Sequence, residues 1–130
     1  MILPIVAYGD SVLKAEAEDV QNGHKGLKDL IASMWETMYE ADGVGLAAPQ
    51  VGESIRIFVA DGSPFGEGEK GDPDCVDFRR VMINPVTFDE SEEMSEMEEG
   101  CLSIPGIREL VNRPVEISVE YYNEDWELKE

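Results

Sequence analysis

Cys101 stands in the stretch MEEGCLSIPG, residues 97–106, between a glycine and an apolar run and directly after two carboxylates. A cysteine in that setting has two readings. It is a small buried hydrophobe, or it gives its sulfur to a metal ion. A free nucleophile is a third chemistry, and the surroundings oppose it. Glu98 and Glu99 put negative charge beside the sulfur, which disfavours a thiolate, and no histidine is near to take its proton. A divalent cation reverses that argument, because it binds the deprotonated sulfur directly. The backbone N–H of Leu102, next to such a ligand, would then face a substrate oxygen on the metal. One sulfur does not close a metal site, and the single histidine, His24, sits far away in a GHKG loop, where it reads as a surface residue.

A second stretch, DGVGLAAPQVG, covers residues 42–52. Gly43, Gly45 and Gly52 permit close approaches that a side chain would block. Such a loop can lay its main-chain N–H and C=O groups against an extended peptide, as in strand addition. Gln50 follows Pro49, whose fixed φ stiffens the backbone, and a carboxamide there can donate to a developing oxyanion. The alternative is a plain Gly-rich connection from helix to strand, with Gln50 solvated. A phosphate loop is excluded, since no Gly-Lys-Ser/Thr follows.

Regular elements must hold these two stretches. Leu27, Leu30, Ile31, Met34, Trp35 and Met38 recur at i, i+3, i+4 and i+7, which predicts a helix with a core-facing stripe ending near Gly43. Asp10 or Ser11 can cap a short helix before it. SIRIFVAD alternates and reads as a strand. GSPFGEGEKGDPDCVDF reads as a long exposed loop, with Cys75 an incidental thiol. RRVMINP reads as a short strand ended by Pro85, and VTFDESEEM as a weak outer strand. ELVNRPVEISVEYYN reads as one strand with Val115, Ile117, Val119 and Tyr121 on a shared face. NED is a turn, and WELKE the return strand of a hairpin. The class is α+β with antiparallel sheet, in a single domain over residues 1–130.

The formal charge of −19 excludes sequence-independent nucleic-acid binding and disfavours anionic membrane surfaces. The acid runs at 67–77 and 89–99 read as solvated faces. No apolar run is long enough to cross a membrane, and MILPIVAYGD lacks the basic leader of a signal peptide. Two cysteines in unlike settings suggest no disulfide framework, and the expected compartment is the cytoplasm.

GVGLAAPQVG and EEGCLSIPG together resemble the first and second signature motifs of the peptide deformylases. The opening ILPIVAYGDSVL and the helix LKDLIASMWETMYEADG are similar to that family's N-terminal region, so the resemblance runs along essentially the whole chain. It implies a metallohydrolase that removes the N-formyl group from nascent proteins. Its substrate is an N-formyl-methionyl peptide or nascent chain, with the ribosome as a possible partner. The implied cofactor is one divalent ion, Fe2+, with Zn2+, Ni2+ or Co2+ as substitutes. The resemblance puts Cys101 in the metal shell, and Gln50 and the Leu102 N–H on the formyl oxygen. Val44, Gly45, Glu99 and Gly100 would line the peptide through their backbone, Met97 would face the pocket for its first side chain, and Glu99 would pair with Arg113.

The third family signature is a helix carrying His-Glu-x-x-His, which gives two metal ligands and the general base. These 130 residues contain no such motif. The expectation is therefore a C-terminally incomplete member, lacking that central helix, that does not hold metal stably and is inactive by itself. The alternative is a non-catalytic, deformylase-like module that grips peptides. A separate chain supplying the His-Glu helix is a third arrangement.

Overall fold

The stripe that opens at Leu27 forms a 14-residue helix, α1 (Leu27–Glu40), in the computed structural model of the chain. The structure describes residues 1–66, 71, 73–114 and 116–130, and for residues 74, 97, 98, 104–107 and 109 the backbone alone. Leu27, Ile31, Met34, Trp35 and Met38 are buried and Leu30 packs at the margin, as the spacing requires. Glu40 is followed by Ala41, whose N–H returns to Thr37 O, and by Asp42, which takes the left-handed turn at φ 57. Gly43 lies just beyond, with its N–H on Met38 O at 3.0 Å. The expected short helix before α1 is a single turn, Ser11–Leu13, capped by Asp10 through the Val12 N–H.

Among the described residues seven strands follow in chain order: β1 Gly45–Ala47, β2 Ile57–Asp61, β3 Arg79–Glu90, β4 Met94–Cys101, β5 Ile104–Pro114, β6 Ile117–Tyr122 and β7 Leu128–Lys129. Five form an antiparallel sheet in the order β1-β2-β3-β6-β7, and β4 pairs with β5 in a separate two-stranded sheet. The α+β architecture with antiparallel sheet is thus present. α1 packs across β1 and β2. Its stripe meets Leu46, Ile57, Val59, Val81 and Ile83, and Val20 closes one end of this core.

Three expectations from the sequence need correction. RRVMINP and VTFDESEEM are not two strands. β3 runs through Pro85, because the ladder to β6 slips between Ile83 and Val86 and so asks no hydrogen bond of the proline nitrogen. The run 89–99 is not merely a solvated acidic face. From Met94 it is β4, whose glutamates are compatible with a strand because a two-stranded sheet leaves a face in water. ELVNRPVEISVEYYN is not one strand. β5 stops at Pro114, and β6 joins the other sheet, leaving Ile117 exposed and Val119 and Tyr121 half-buried. Val115 lies outside the described residues. The expected hairpin at the turn Asn123–Asp125 is present, with a β7 of two residues.

Asn84, at the slip in β3, has φ 51. Its carboxamide is bonded as a strand neighbour would be: Oδ1 accepts the Val20 N–H at 2.8 Å, and Nδ2 donates to Val20 O at 2.9 Å. Arg56 completes this clasp. Its carbonyl accepts the Asn84 N–H, its N–H goes to Glu18 O, and its guanidinium reaches Asp19 and the Pro85 carbonyl. The N-terminal third of the chain is thereby tied to the middle of the sheet.

Candidate functional site

Gln50 lies in a 3-10 turn, Ala48–Val51, started by Pro49 and closed by Gly52 at φ 87, a conformation that favours glycine. Its Oε1 accepts the Ala47 N–H at 3.0 Å. A main-chain N–H is only a donor, so the carboxamide oxygen must face Ala47 and the NH2 must face away. Nε2 accordingly meets Cys101 Sγ at 3.5 Å and Ser103 Oγ at 3.4 Å. The two sequence motifs, 51 residues apart, come together at this amide. Gln50 is half-buried and tied at both ends of its carboxamide, so it is not a solvated residue of a plain connection. Cys101 is an exposed free thiol, so the reading as a small buried hydrophobe fails.

Two further contacts fix the corner. A Cβ on Gly43 would stand 2.7 Å from Leu102 Cδ1 and 3.3 Å from its Cγ, so Gly43 exists here to let Leu102 approach. Gly43→Ala should turn the half-buried Leu102 side chain aside at a cost of about 1 kcal/mol, the low end for overpacking because only a side-chain tip must move. Chemical denaturation measures the cost, and shifted amide resonances at Leu102 and Cys101 report the displacement. The second contact is a brace from the N-terminus. Val6 N–H donates to Gln50 O at 2.8 Å, and Tyr8 N–H donates to Ser103 O at 2.9 Å.

β1 is the outermost strand of its sheet. The Val44 carbonyl is already used inward, accepting the Asp61 N–H at 2.8 Å. Inward and outward groups alternate along an antiparallel strand, so the Gly45 N–H and C=O face outward. β4 pairs only with β5 among the described residues, and it carries Glu99 and Gly100 beside Cys101. Open strand edges therefore lead into the Gln50–Cys101 corner from both motifs. Met97 lies on β4 by its backbone, and its side chain is outside the described residues.

Glu99 receives two bonds from Arg113, Nε at 3.0 Å and Nη2 at 2.9 Å, a bidentate pair that anchors β4 next to Cys101. The hydrogen bonds from Arg113, aided by its charge, hold the Glu99 carboxyl below its ordinary value of 4.5. A carboxyl with a depressed folded-state pKa adds stability above its unfolded pKa and loses it as pH falls through the folded one. Glu99→Gln should therefore lower Tm slightly at pH 7, and the difference should shrink as the pH falls below 4.5. A difference that does not shrink on acidification would contradict this.

A metal ion needs more than this corner offers. Among the described residues no group of three or more His, Cys, Asp and Glu side chains is placed to hold an ion. Cys101 offers one sulfur, and His24 is exposed in its loop before α1. A site of about four ligands does not fit the residues present. Ser103 was not distinguished within its motif by sequence reasoning. It is 4% exposed with its hydroxyl on Gln50, and nothing in its local pattern signals a partner that lies in another part of the chain.

A family model for polypeptide deformylase matches residues 2–130. The chain belongs to the peptide deformylase family. The peptide deformylase of Christiangramia forsetii is 50% identical over 131 residues, a match covering 98% of this chain and 67% of that protein. That of Salinibacter ruber is 47% identical, covering 100% and 67%. This deformylase chain thus spans about two thirds of their length. The crystal structure of the Thermotoga maritima peptide deformylase superposes with a TM-score of 0.84 at 40% identity, covering 99% of this chain and 79% of that one. A class I type b peptide deformylase from Acinetobacter baumannii with Met-Ala-Ser bound gives 0.85 at 33% identity, covering 99% and 81%. Deformylases are metal-dependent hydrolases. No helix among the described residues of this deformylase chain is long and apolar enough to cross a membrane.

Proposed function

We propose that the chain acts in deformylation of N-formyl-methionyl peptides and nascent chains in the cytoplasm, and that its residues 1–130, as one domain, supply the part of the reaction that grips and polarises the substrate. The orientation of the Gln50 carboxamide carries this reading. Its oxygen is committed to Ala47, so its NH2 is presented as a donor beside Cys101. A formyl oxygen there would receive the Leu102 N–H and Gln50 Nε2, the latter held before the ligand arrives by the bonds to Ala47 and Ser103. The outward N–H and C=O of Gly45 would pair with the peptide as an added strand, with Val44 beside it. Glu99 and Gly100 would take the opposite side, and Met97 would meet the first side chain. Cys101 would give its sulfur to a divalent ion, Fe2+ or a Zn2+, Ni2+ or Co2+ substitute, whose other ligands are not among these residues. The ribosome is the natural source of the substrate.

Binding tests the reading without requiring turnover. Formyl-Met-Ala-Ser and unformylated Met-Ala-Ser, titrated separately into the chain, should differ in affinity, with amide shifts at Gly45, Gly100 and Leu102. Gln50→Ala should reduce the preference for the formyl peptide by roughly 3- to 10-fold, the worth of one partly buried hydrogen bond. Equal affinity for both peptides in the unaltered chain would remove the reading.

A second reading rests on the donor set. With one sulfur and no group of metal-holding side chains among the described residues, the same surface taken alone is a peptide-binding module rather than a catalyst.

A further inference from the structure

Thr37 and Ser103 are buried polar side chains, 2% and 4% exposed. The Thr37 hydroxyl is absorbed by structure, donating to Ser33 O and accepting the Leu3 N–H. The Ser103 hydroxyl instead faces the amide of Gln50, with Nε2 at 3.4 Å. A primary amide has two N–H groups and one oxygen. The Ala47 N–H fixes which end is oxygen, and the Cys101 sulfur, a weak acceptor at 3.5 Å, holds the nitrogen only loosely. A second, immobile acceptor on the nitrogen removes that looseness.

Ser103 is well placed to be immobile. Its carbonyl accepts the Tyr8 N–H, while the Gln50 carbonyl accepts the Val6 N–H. Residues 6 and 8 belong to one segment outside any regular element, so the same short piece of chain sets the separation of the two residues. We infer that Ser103 is the positioning residue for Gln50: its hydroxyl takes one N–H of the carboxamide and thereby aims the other at the position of a formyl oxygen beside Cys101. At 3.4 Å the contact is long for a neutral hydrogen bond, as donors awaiting their ligand often are, and it shortens when the second N–H is engaged.

The inference rests on the reading of Gln50 as the formyl-oxygen donor, so its test separates the two. Nitrogen-15 relaxation of the Gln50 side-chain amide in the 130-residue chain reads the positioning directly. The order parameter of Nε2 should lie near the rigid value of about 0.85 and fall below about 0.6 in Ser103→Ala. Ser103→Thr, which keeps the hydroxyl, should restore it. Ser103→Cys, close in size and a weaker acceptor, should fall between. A purely structural role for Ser103 would change the melting temperature without changing the mobility of this one amide. Formyl-Met-Ala-Ser should bind Ser103→Ala about 3- to 10-fold more weakly, with Met-Ala-Ser unaffected. An unchanged order parameter in folded Ser103→Ala overturns the inference. If that variant does not fold, an unchanged value in Ser103→Cys does so equally. A lost order parameter with formyl preference intact upholds Ser103 as the positioner of the amide and removes Gln50 as the donor.

Discussion

N-formyl-methionyl peptides incubated with the 130-residue chain should be hydrolysed at a negligible rate, whatever divalent ion is added. The reaction needs a nucleophilic water, a base to take its proton and an acid to release the amine. The corner offers the Gln50 carboxamide and one sulfur. Donors alone leave only a residual acceleration when nucleophile and base are missing. Elemental analysis after metal-free purification should find far less than one equivalent of iron, zinc, nickel or cobalt, since a single thiolate cannot compete for the ion. Joining a segment that carries His-Glu-x-x-His after residue 130 should bring metal uptake and turnover together, with a gain of about 10⁶-fold or more, the lower range of enzymic acceleration. Turnover by the unextended chain that a chelator or Cys101→Ser abolishes would show that ligands come from elsewhere, as from a second chain.

The second large effect is on stability. Asn84→Ala removes both bonds to Val20, whose N–H and C=O lie beside a side chain only 3% exposed. Leaving such a donor and acceptor without partners costs about 1–3 kcal/mol each, so a loss of roughly 2–4 kcal/mol is expected, with some relief from entering water. Against a domain stability of about 5–15 kcal/mol this is severe. Asn84→Gly separates the causes, because it keeps the left-handed backbone and loses only the clasp. Asn84→Asp keeps the acceptor for the Val20 N–H but sets a carboxylate oxygen against Val20 O. Urea titrations of the three variants should show Ala and Asp both well below the unaltered chain, and Gly milder than Ala by about 1 kcal/mol. A loss under 0.5 kcal/mol in Asn84→Ala would mean the clasp is solvated.

What the sequence made legible divides along the range of the interactions. The α1 stripe could be read because helical spacing is local and Met34 and Met38 follow it without exception. The pairing of Glu99 with Arg113 came with the family resemblance and is present as two hydrogen bonds. β3 was misjudged at Pro85 because the rule that proline ends a strand supposes a regular ladder, and the slip beside Asn84 is decided by β6, more than 30 residues later. β4 was obscured by its glutamates, since an acidic strand in a two-stranded sheet has no apolar alternation to display. Gln50 could be named from its motif, but its orientation could not, because Ala47, Ser103 and Cys101 converge on it only in the folded chain. Ser103 carried no signal of its own, and its interest lies wholly in what it touches.

The brace from Val6 and Tyr8 also has a kinetic side. Those two N–H groups find their acceptors at Gln50 and Ser103, so residues 6 and 8, which leave the ribosome before either partner, are satisfied only once those partners have emerged. Closing so long a loop carries an entropic cost that must be met before its contacts form, and chains rich in such contacts fold slowly. Until residue 103 emerges, the corner with Gln50 and Cys101 does not exist, and the opening segment has no settled place. A nascent chain should therefore gain any affinity for formyl peptides in one late step, rather than gradually as its sheet grows. Arrested chains of increasing length would show that step as a threshold.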